Sequence, residues 1–224
     1  MRVPPLGDAD LAYETGFHIG DGCLSLYQGQ YRYVLSGNGR TESEFYSETI
    51  APLLTGLYGL RPRVSRYRNS IYATIYSKEL LLFKSNIVGL PVGTKDTLIH
   101  LPDAILGQGK RCRAKLLAGL YDADGSLKKR VTSSGSYPRL SFTQKTKGIV
   151  EDIKRILFED FEITSTMYYN DYLDRRVNKL ERRWFLDING FANLRRYMDS
   201  VGTRHPSIEG KAGLLLCPPF DEPP

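Results

Sequence analysis

Two stretches of the chain close in the same way, with an apolar run of small residues that ends in aspartate and glycine. They are Thr15-Gly16-Phe17-His18-Ile19-Gly20-Asp21-Gly22 and Leu116-Leu117-Ala118-Gly119-Leu120-Tyr121-Asp122-Ala123-Asp124-Gly125. Two carboxylates brought to one place can hold a divalent cation, offset charge that develops on an anionic ester and help to activate water. A phosphodiester, anionic and slow to hydrolyse, is the kind of bond that needs this help. The three cysteines, Cys23, Cys112 and Cys217, are odd in number and lack metal-ligand spacing, so reduced thiols are expected.

The acids need elements to deliver them. Ala, Leu and Tyr in the second run favour or tolerate a helix, and Gly125 suits its exit. Gly119 and Ala123 stand four apart and share one helix face; Gly16 and Gly20 do the same in the first run. Faces made of such small residues let two backbones approach closely. The expected arrangement is two helices packed through Gly16, Gly20, Gly119 and Ala123, with Asp21 and Asp124 emerging side by side.

The order of elements also repeats. After the first Asp-Gly, β-forming stretches at 24–28 and 31–36 read as a hairpin, 44–57 as a helix with Pro52 as a kink or late start, and 63–67 with 71–76 as a second hairpin turning at Asn69-Ser70. A helix over about 78–88 follows. After the second Asp-Gly come strands at 126–132 and 139–143, a helix at 148–158, strands at 167–170 and 184–188 separated by a charged loop at 171–183, and a helix at 191–201. The reading is therefore α+β, as two αββαββα halves: 1–106, a linker at 107–112, 113–216, and a proline-rich tail at 217–224.

The chain of 224 residues has a formal net charge of +6 and a pI near 9.1. Residues 1–110 carry eleven Lys+Arg against ten Asp+Glu, while residues 111–224 carry twenty against fifteen. This excess suits a polyanionic partner without establishing one. No run of about 18 apolar residues is present, so no membrane span is expected. The opening Met-Arg-Val-Pro-Pro lacks the apolar core of a signal peptide, and an intracellular location is expected.

Leu117-Ala118-Gly119-Leu120-Tyr121-Asp122-Ala123-Asp124-Gly125 resembles the LAGLIDADG motif at eight of nine positions. Glu14-Thr15-Gly16-Phe17-His18-Ile19-Gly20-Asp21-Gly22 is a weaker copy that keeps the glycine, the apolar centre and the final Asp-Gly. Two copies, each followed by the same order of strands and helices, resemble the single-chain, double-motif LAGLIDADG homing endonucleases, especially the compact archaeal type. That resemblance implies a monomeric pseudo-dimer whose strands form a β-saddle on double-stranded DNA with a long target site. It also implies cleavage of both strands across the minor groove, in intron homing.

The resemblance further implies Mg²⁺ as cofactor, with Ca²⁺ substituting without cleavage. Asp21 and Asp124 are then the metal ligands, helped by the carbonyls of Gly20 and Ala123. Ile19 stands where the motif has its earlier acid, so Asp122 is expected as a hydrogen-bonding or structural residue. Lys95 in Gly93-Thr94-Lys95 and Lys211 in Glu209-Gly210-Lys211 occupy like places after the third helix of each half, each expected on a glycine turn. Gln144 resembles the family's polar site residue, and Asn38 is its expected counterpart in the first half.

Sequence reading of DNA would fall to strand cations: Arg32, Arg63, Arg66 and Arg68, interleaved with Tyr31, Tyr33 and Tyr67, and Lys128, Arg130, Arg139 and Lys145 in the second half. Alternate residues share a sheet face, from which Arg and Lys can reach guanine edges or phosphates. Amphipathic strands exposing charge to water fit the same pattern. His18 and Trp184 are expected as packing residues. Two other functions compete with the endonuclease: an RNA-binding intron maturase of the same family, and a non-catalytic DNA-binding regulator.

Overall fold

The computed structural model describes residues 1–133, 135–174 and 178–216; the expected tail, with Cys217, lies outside them. Helix α1 (Ala9–Asp21) begins where the Asp8 side chain accepts from the backbone N–H groups of Asp10 and Leu11, donors that a helix start leaves open. Strands β1 (Gly22–Tyr27) and β2 (Gln30–Asn38) follow. They turn at Gln28 and Gly29, both at positive φ (48° and 75°), as the tightest twisted hairpins require.

Next, α2 (Ser43–Phe45), a π-helical turn (Tyr46–Ile50) and α3 (Ala51–Tyr58) run on as one helical segment. Pro52 lies in the first turn of α3, directly after the widened π turn. Strands β3 (Arg63–Tyr67) and β4 (Ser70–Tyr76) turn at Arg68 and Asn69, one residue earlier than expected. Helix α4 (Lys78–Leu82) is capped by the Ser77 hydroxyl and continues into a π turn (Phe83–Ile87). A 3₁₀ turn (Lys95–Thr97) and the short α5 (Asp103–Leu106) precede α6 (Lys110–Asp124).

The second sequence of elements is β5 (Ser126–Thr132), β6 (Gly135–Gln144), α7 (Lys147–Phe161), β7 (Thr166–Asp174), β8 (Lys179–Asn189), α8 (Phe191–Ser200) and α9 (Pro206–Leu216). Each unit holds one antiparallel sheet, ordered β1-β2-β4-β3 and β5-β6-β8-β7. The repeated α+β plan is thus present in both halves. The expected charged loop at 171–183 is different: its described residues extend β7 and β8. Asp171 pairs with Arg182 there, at 2.8 Å, and the Arg182 guanidinium lies 4.2 Å from the centre of the Tyr169 ring. Charge that reads as loop in one dimension is cross-strand pairing in three.

In each sheet one face is buried. Tyr33, Leu35, Ala73 and Ile75 face inward in the first; Leu140, Phe142, Leu186 and Ile188 do so in the second, with Ile149, Ile153, Ile156 and Leu157 of α7 also buried. Backbone packing divides the chain after Asp124. The cause is α6, which packs along α1 and so counts with the first unit.

That helix contact is close. A Cβ on Gly16 would collide with the Leu116 carbonyl and stand 2.8 Å from Leu120 N; a Cβ on Gly119 would collide with the Tyr13 carbonyl and stand 2.8 Å from Phe17 N. Glycine faces glycine's partner backbone in both directions. A buried polar network holds α1 from its other side. Lys84 Nζ donates to Glu14 Oε2 at 2.5 Å and to Thr15 Oγ1 at 2.9 Å, and the hydroxyls of Tyr33 and Tyr58 also donate to Glu14. Both ends of the ion pair are fully buried.

Gly119→Leu puts a branched side chain against a helix backbone that cannot rotate away. It is expected to cost about 3 kcal/mol or more, at the upper end of overpacking, measured by denaturant unfolding; unchanged stability would mean that α1 and α6 do not pack through this face.

Candidate metal and nucleic-acid site

The close packing carries both motif helices to a common end. A Cβ on Gly20 would meet the Ala123 side chain and lie 3.1 Å from Asp124 Oδ2, so the Asp124 carboxylate sits beside the last turn of α1. Asp21, the next residue, ends that helix, and its carbonyl accepts from Ser36 Oγ at 3.1 Å. Helix C-termini carry partial negative charge, and here two carboxylates add to it. Burial first, then the Asp124 and Glu42 carboxylates, push the Asp21 carboxyl up from 3.8 to about 8, against the pull of Lys95.

Lys95 answers that potential. From the 3₁₀ turn its ammonium donates to the carbonyls of Ile19, at 3.0 Å, and Gly20. Gly93, at φ 91°, makes the preceding turn, and Gly93 N donates to Leu24 O at 2.7 Å, which ties the loop to β1. A protein cation therefore rests on one of the carbonyls expected to assist a metal. Two crowded acids and the helix-end carbonyls on which that ammonium rests form an oxygen donor set that fits a hard divalent cation. Among the described residues no three acids, histidines or cysteines converge as a complete cage would require. Asp21, Asp124 and the Gly20 and Ala123 carbonyls would hold the ion, the rest of its shell being left to water and substrate oxygens, the usual habit of Mg²⁺.

Several other expected residues have clear places. Asp122 is buried and accepts from the Tyr13 hydroxyl at 2.6 Å, the hydrogen-bonding role. His18 is buried with its ring centre 5.0 Å from that of Tyr33. Burial, then Lys84 and Lys95, hold its pKa well below the usual imidazole value, so it packs as a neutral ring. Trp184, in β8, lies against Tyr169 with ring centres 5.1 Å apart.

Three placements differ from expectation. Asn38 ends β2 and its side chain accepts from Arg40 N at 2.9 Å; it stabilises the following turn, and strand alternation puts it on the other face from Gly37. Lys211 is on no glycine turn, since Gly210 lies within α9 and Lys211 is exposed in the middle of that helix. Arg66 pairs with the inward-facing Ile71 while Arg63 pairs with Thr74. A spacing of three residues reverses the face in a strand, so Arg66 lies on the helix side and Arg63 on the outer side.

The outer face of the first sheet carries Arg32 with Ser25, Arg63 and Tyr72. Arg68 stands in the β3–β4 turn over the Tyr67 ring, at 5.3 Å. In the second sheet, Lys128 pairs with Arg139 and Arg130 with Tyr137, which puts all three cations on one outer face. Lys145 follows β6 and pairs with Glu181 at 3.0 Å, and Gln144 ends β6 opposite Trp184. Asp187, which the sequence reading missed, is a buried acid on that outer face. It accepts from Ser141 Oγ at 2.6 Å, Tyr168 OH at 3.2 Å and Arg139 at 3.5 Å. Only its alternation with apolar Leu186 and Ile188 could have flagged it as facing outward.

Residues 111–202 match the model of the LAGLIDADG-like domain. Among solved structures, the chain is similar to I-DmoI in complex with DNA and Mn, at a TM-score of 0.63 and 19% identity over 88% of this chain and 97% of that one. It is similar to I-DmoI in complex with DNA and Ca at 0.61 and 19%, over 94% and 98%. A third likeness is the LAGLIDADG homing endonuclease I-GzeII in complex with its DNA target, at 0.54 and 9%, over 93% and 87%. The two-half α+β fold is that of these homing endonucleases. Among the described residues no helix is long and apolar enough to cross a membrane.

The raised Asp21 pKa sets a stability test in metal-free solution. Between about 4 and 8 the folded state holds a proton there that the unfolded chain has released, so this group's contribution falls as pH rises across that window and is level above it. Asp21→Asn removes the effect. Its stability relative to wild type, from urea unfolding in EDTA, is expected to improve from pH 5 to pH 8 by a few kcal/mol at most, and a difference that does not vary with pH would refute the shift.

Proposed function

We propose that the protein is a site-specific endonuclease of the LAGLIDADG homing class, acting as a single chain on double-stranded DNA with Mg²⁺ or a related divalent cation. The observation that carries this reading is the pairing of Asp21 and Asp124 at the ends of two helices whose glycines admit no side chain between them. The outer cations Arg32, Arg63, Lys128, Arg130 and Arg139 supply sequence-independent attraction to phosphates and a means to read base edges. Arg68 at its turn and Lys145 beyond β6 each add a cation to their own half.

A bound divalent ion supplies Lewis-acid stabilisation of the phosphoryl oxygens and a more acidic water. The chain's own part is to hold Asp21 and Asp124 in place, to exclude side chains from the helix contact, and to bring ammonium charge to the phosphate. Lys95 is already beside Asp21 and can exchange helix carbonyls for a phosphate oxygen. Lys211, exposed on α9, and Gln144, at the end of β6, are the second half's candidates for the corresponding tasks. Homing of an intron, and an archaeal source, are the finer parts of the same proposal.

Selection of cleaved duplexes from a randomised DNA library in Mg²⁺ tests the reading. A discrete long site cut on both strands is expected. DNA binding with neither strand cut would overturn it in favour of a regulator, and preference for structured RNA in favour of a maturase. On the selected site, Asp124→Asn is expected to abolish cleavage of at least one strand while binding in Ca²⁺ persists; normal cutting of both strands would remove Asp124 from the site. Lys95→Met is expected to slow single-turnover cleavage roughly tenfold or more, about 1.4 kcal/mol per decade, with little change in affinity. Lost affinity at an intact rate would make Lys95 a simple phosphate contact.

A further inference from the structure

The strand registers of the two sheets can be aligned residue by residue. Cys23 and Ser126 are each the first residue after an Asp-Gly, and they pair with Val34 and Ser141. Counting along β2 and β6 from these partners sets Gly37 against Gln144. The next strands agree, since Leu35 pairs with Ala73 and Gly37 with Ile71, while Phe142 pairs with Leu186 and Gln144 with Trp184. The first half therefore has no strand side chain at the position where the second carries an amide.

The space is filled from elsewhere. A Cβ on Gly37 would collide with Glu42 Oε2 and lie 2.6 Å from Tyr46 Cε2 and 3.0 Å from Tyr46 Cζ. Glu42 comes from the turn after β2, and its Oε2 accepts from Asn38 N at 2.7 Å. Tyr46, one helical turn further on, is fully buried, and its hydroxyl has no hydrogen-bond partner among the described residues. Ser36, the neighbour of Gly37, donates from its Oγ to the Asp21 carbonyl at 3.1 Å, which puts this strand end on the Asp21 side; burial first, then the Asp21 and Glu42 carboxylates, raise the Tyr46 phenol far above its ordinary value, so it stays an O–H donor. A buried donor left unsatisfied is costly, and an ordered water that accepts from it removes that cost.

We propose that Glu42, reaching through the gap left by Gly37, is a positioning residue on the Asp21 side of the site, and that with the Tyr46 hydroxyl it holds a water beside Asp21. The first half then places a carboxylate where the second places the Gln144 amide. Glu42 acts through that water and through its charge, which favours a cation on the Asp21 side; the amide adds no such charge. This rests on the endonuclease reading and adds to it an inequality between the two strand cleavages.

Glu42→Gln tests it, because the Gln side-chain oxygen still accepts from Asn38 N while the charge is lost. Thermal stability and affinity for the site in Ca²⁺ are expected to stay at wild-type values. Affinity of the DNA-free protein for Mn²⁺, by titration calorimetry, is expected to fall about tenfold, the scale of outer-shell changes at metal sites. On a duplex labelled on each strand, Glu42→Gln and Tyr46→Phe are both expected to slow the strand that Asp21→Asn slows, by tenfold or more for Glu42→Gln, and to spare the other. Wild-type Mn²⁺ affinity together with an unchanged ratio of strand rates would overturn the inference. A wild-type protein that cuts neither strand would overturn the endonuclease reading, and the Mn²⁺ titration would still decide the role of Glu42.

Discussion

The reciprocal contact in which Gly16 faces the α6 backbone and Gly119 faces the α1 backbone is the constraint on which the site depends. Any β-carbon at either position would hold the helices apart, and the acids at their ends would separate with them. The closeness has an electrostatic cost, because Asp21 and Asp124 are like charges placed where two sets of helix carbonyls already point. The structure relieves that cost in two ways. Lys95 supplies a positive charge to the Ile19 and Gly20 carbonyls, and the raised Asp21 pKa lets the acid keep its proton at neutral pH.

Position along the helix contact is one requirement and rotation of α1 is another. The Glu14 carboxylate, buried on the opposite side of α1, accepts from Lys84, Tyr33 and Tyr58, residues of α4's π-helical continuation, β2 and α3. Such a pair is weak grounds for net stability, since desolvating two charges consumes most of what their attraction returns. Its geometry is exacting, however, and three elements must meet Glu14 together. The network therefore fixes which way Asp21 faces. Asp122, bonded to Tyr13 at 2.6 Å, makes a smaller tie of the same kind between α6 and α1.

What could be read from residues alone followed from periodicity. The small-residue face at four-residue spacing is local, so the helix contact and the position of both acids were legible, as was the repeated order of strands and helices. What failed depended on pairing between distant segments. The charge-rich stretch beyond Asn170 reads as loop because Asp171, Arg182 and Tyr169 explain one another only across a strand pair. Arg66 reads as a partner of Arg63 from composition, yet the two stand three positions apart, and only the register with β4 shows their faces to be opposite. Lys211 resembles Lys95 in standing within two residues of a glycine after the third helix of its half, yet Gly93 has the left-handed backbone of a turn and Gly210 continues a helix begun at Pro206. Glu42 and Tyr46 gave no signal, since a glycine on one strand and a side chain from the next helix share a space that has no counterpart in sequence distance.

An internal repeat constrains backbone more tightly than side chains, and this chain shows where the difference goes. Both sheets keep one strand order and one register, because a slipped register would turn every inward residue outward. Within that common frame the halves have diverged where the frame is indifferent to identity. Gly37 and Gln144 occupy matched positions with unlike chemistry. The first motif copy carries Glu14 at the centre of a polar network, whereas α6 has Leu117 at the matching position, buried and apolar. The second sheet places a buried acid, Asp187, on its outer face, where Thr74 stands at the matching register position in the first. Asp187 holds Arg139, Ser141 and Tyr168 in one geometry, so part of that outer face is pre-organised before any partner arrives. Arg32 and Arg63 lie opposite uncharged Tyr76 and Thr74. Two copies of one backbone in this way present outer faces of unlike chemistry, one with a buried acid among its cations and one with uncharged residues opposite them.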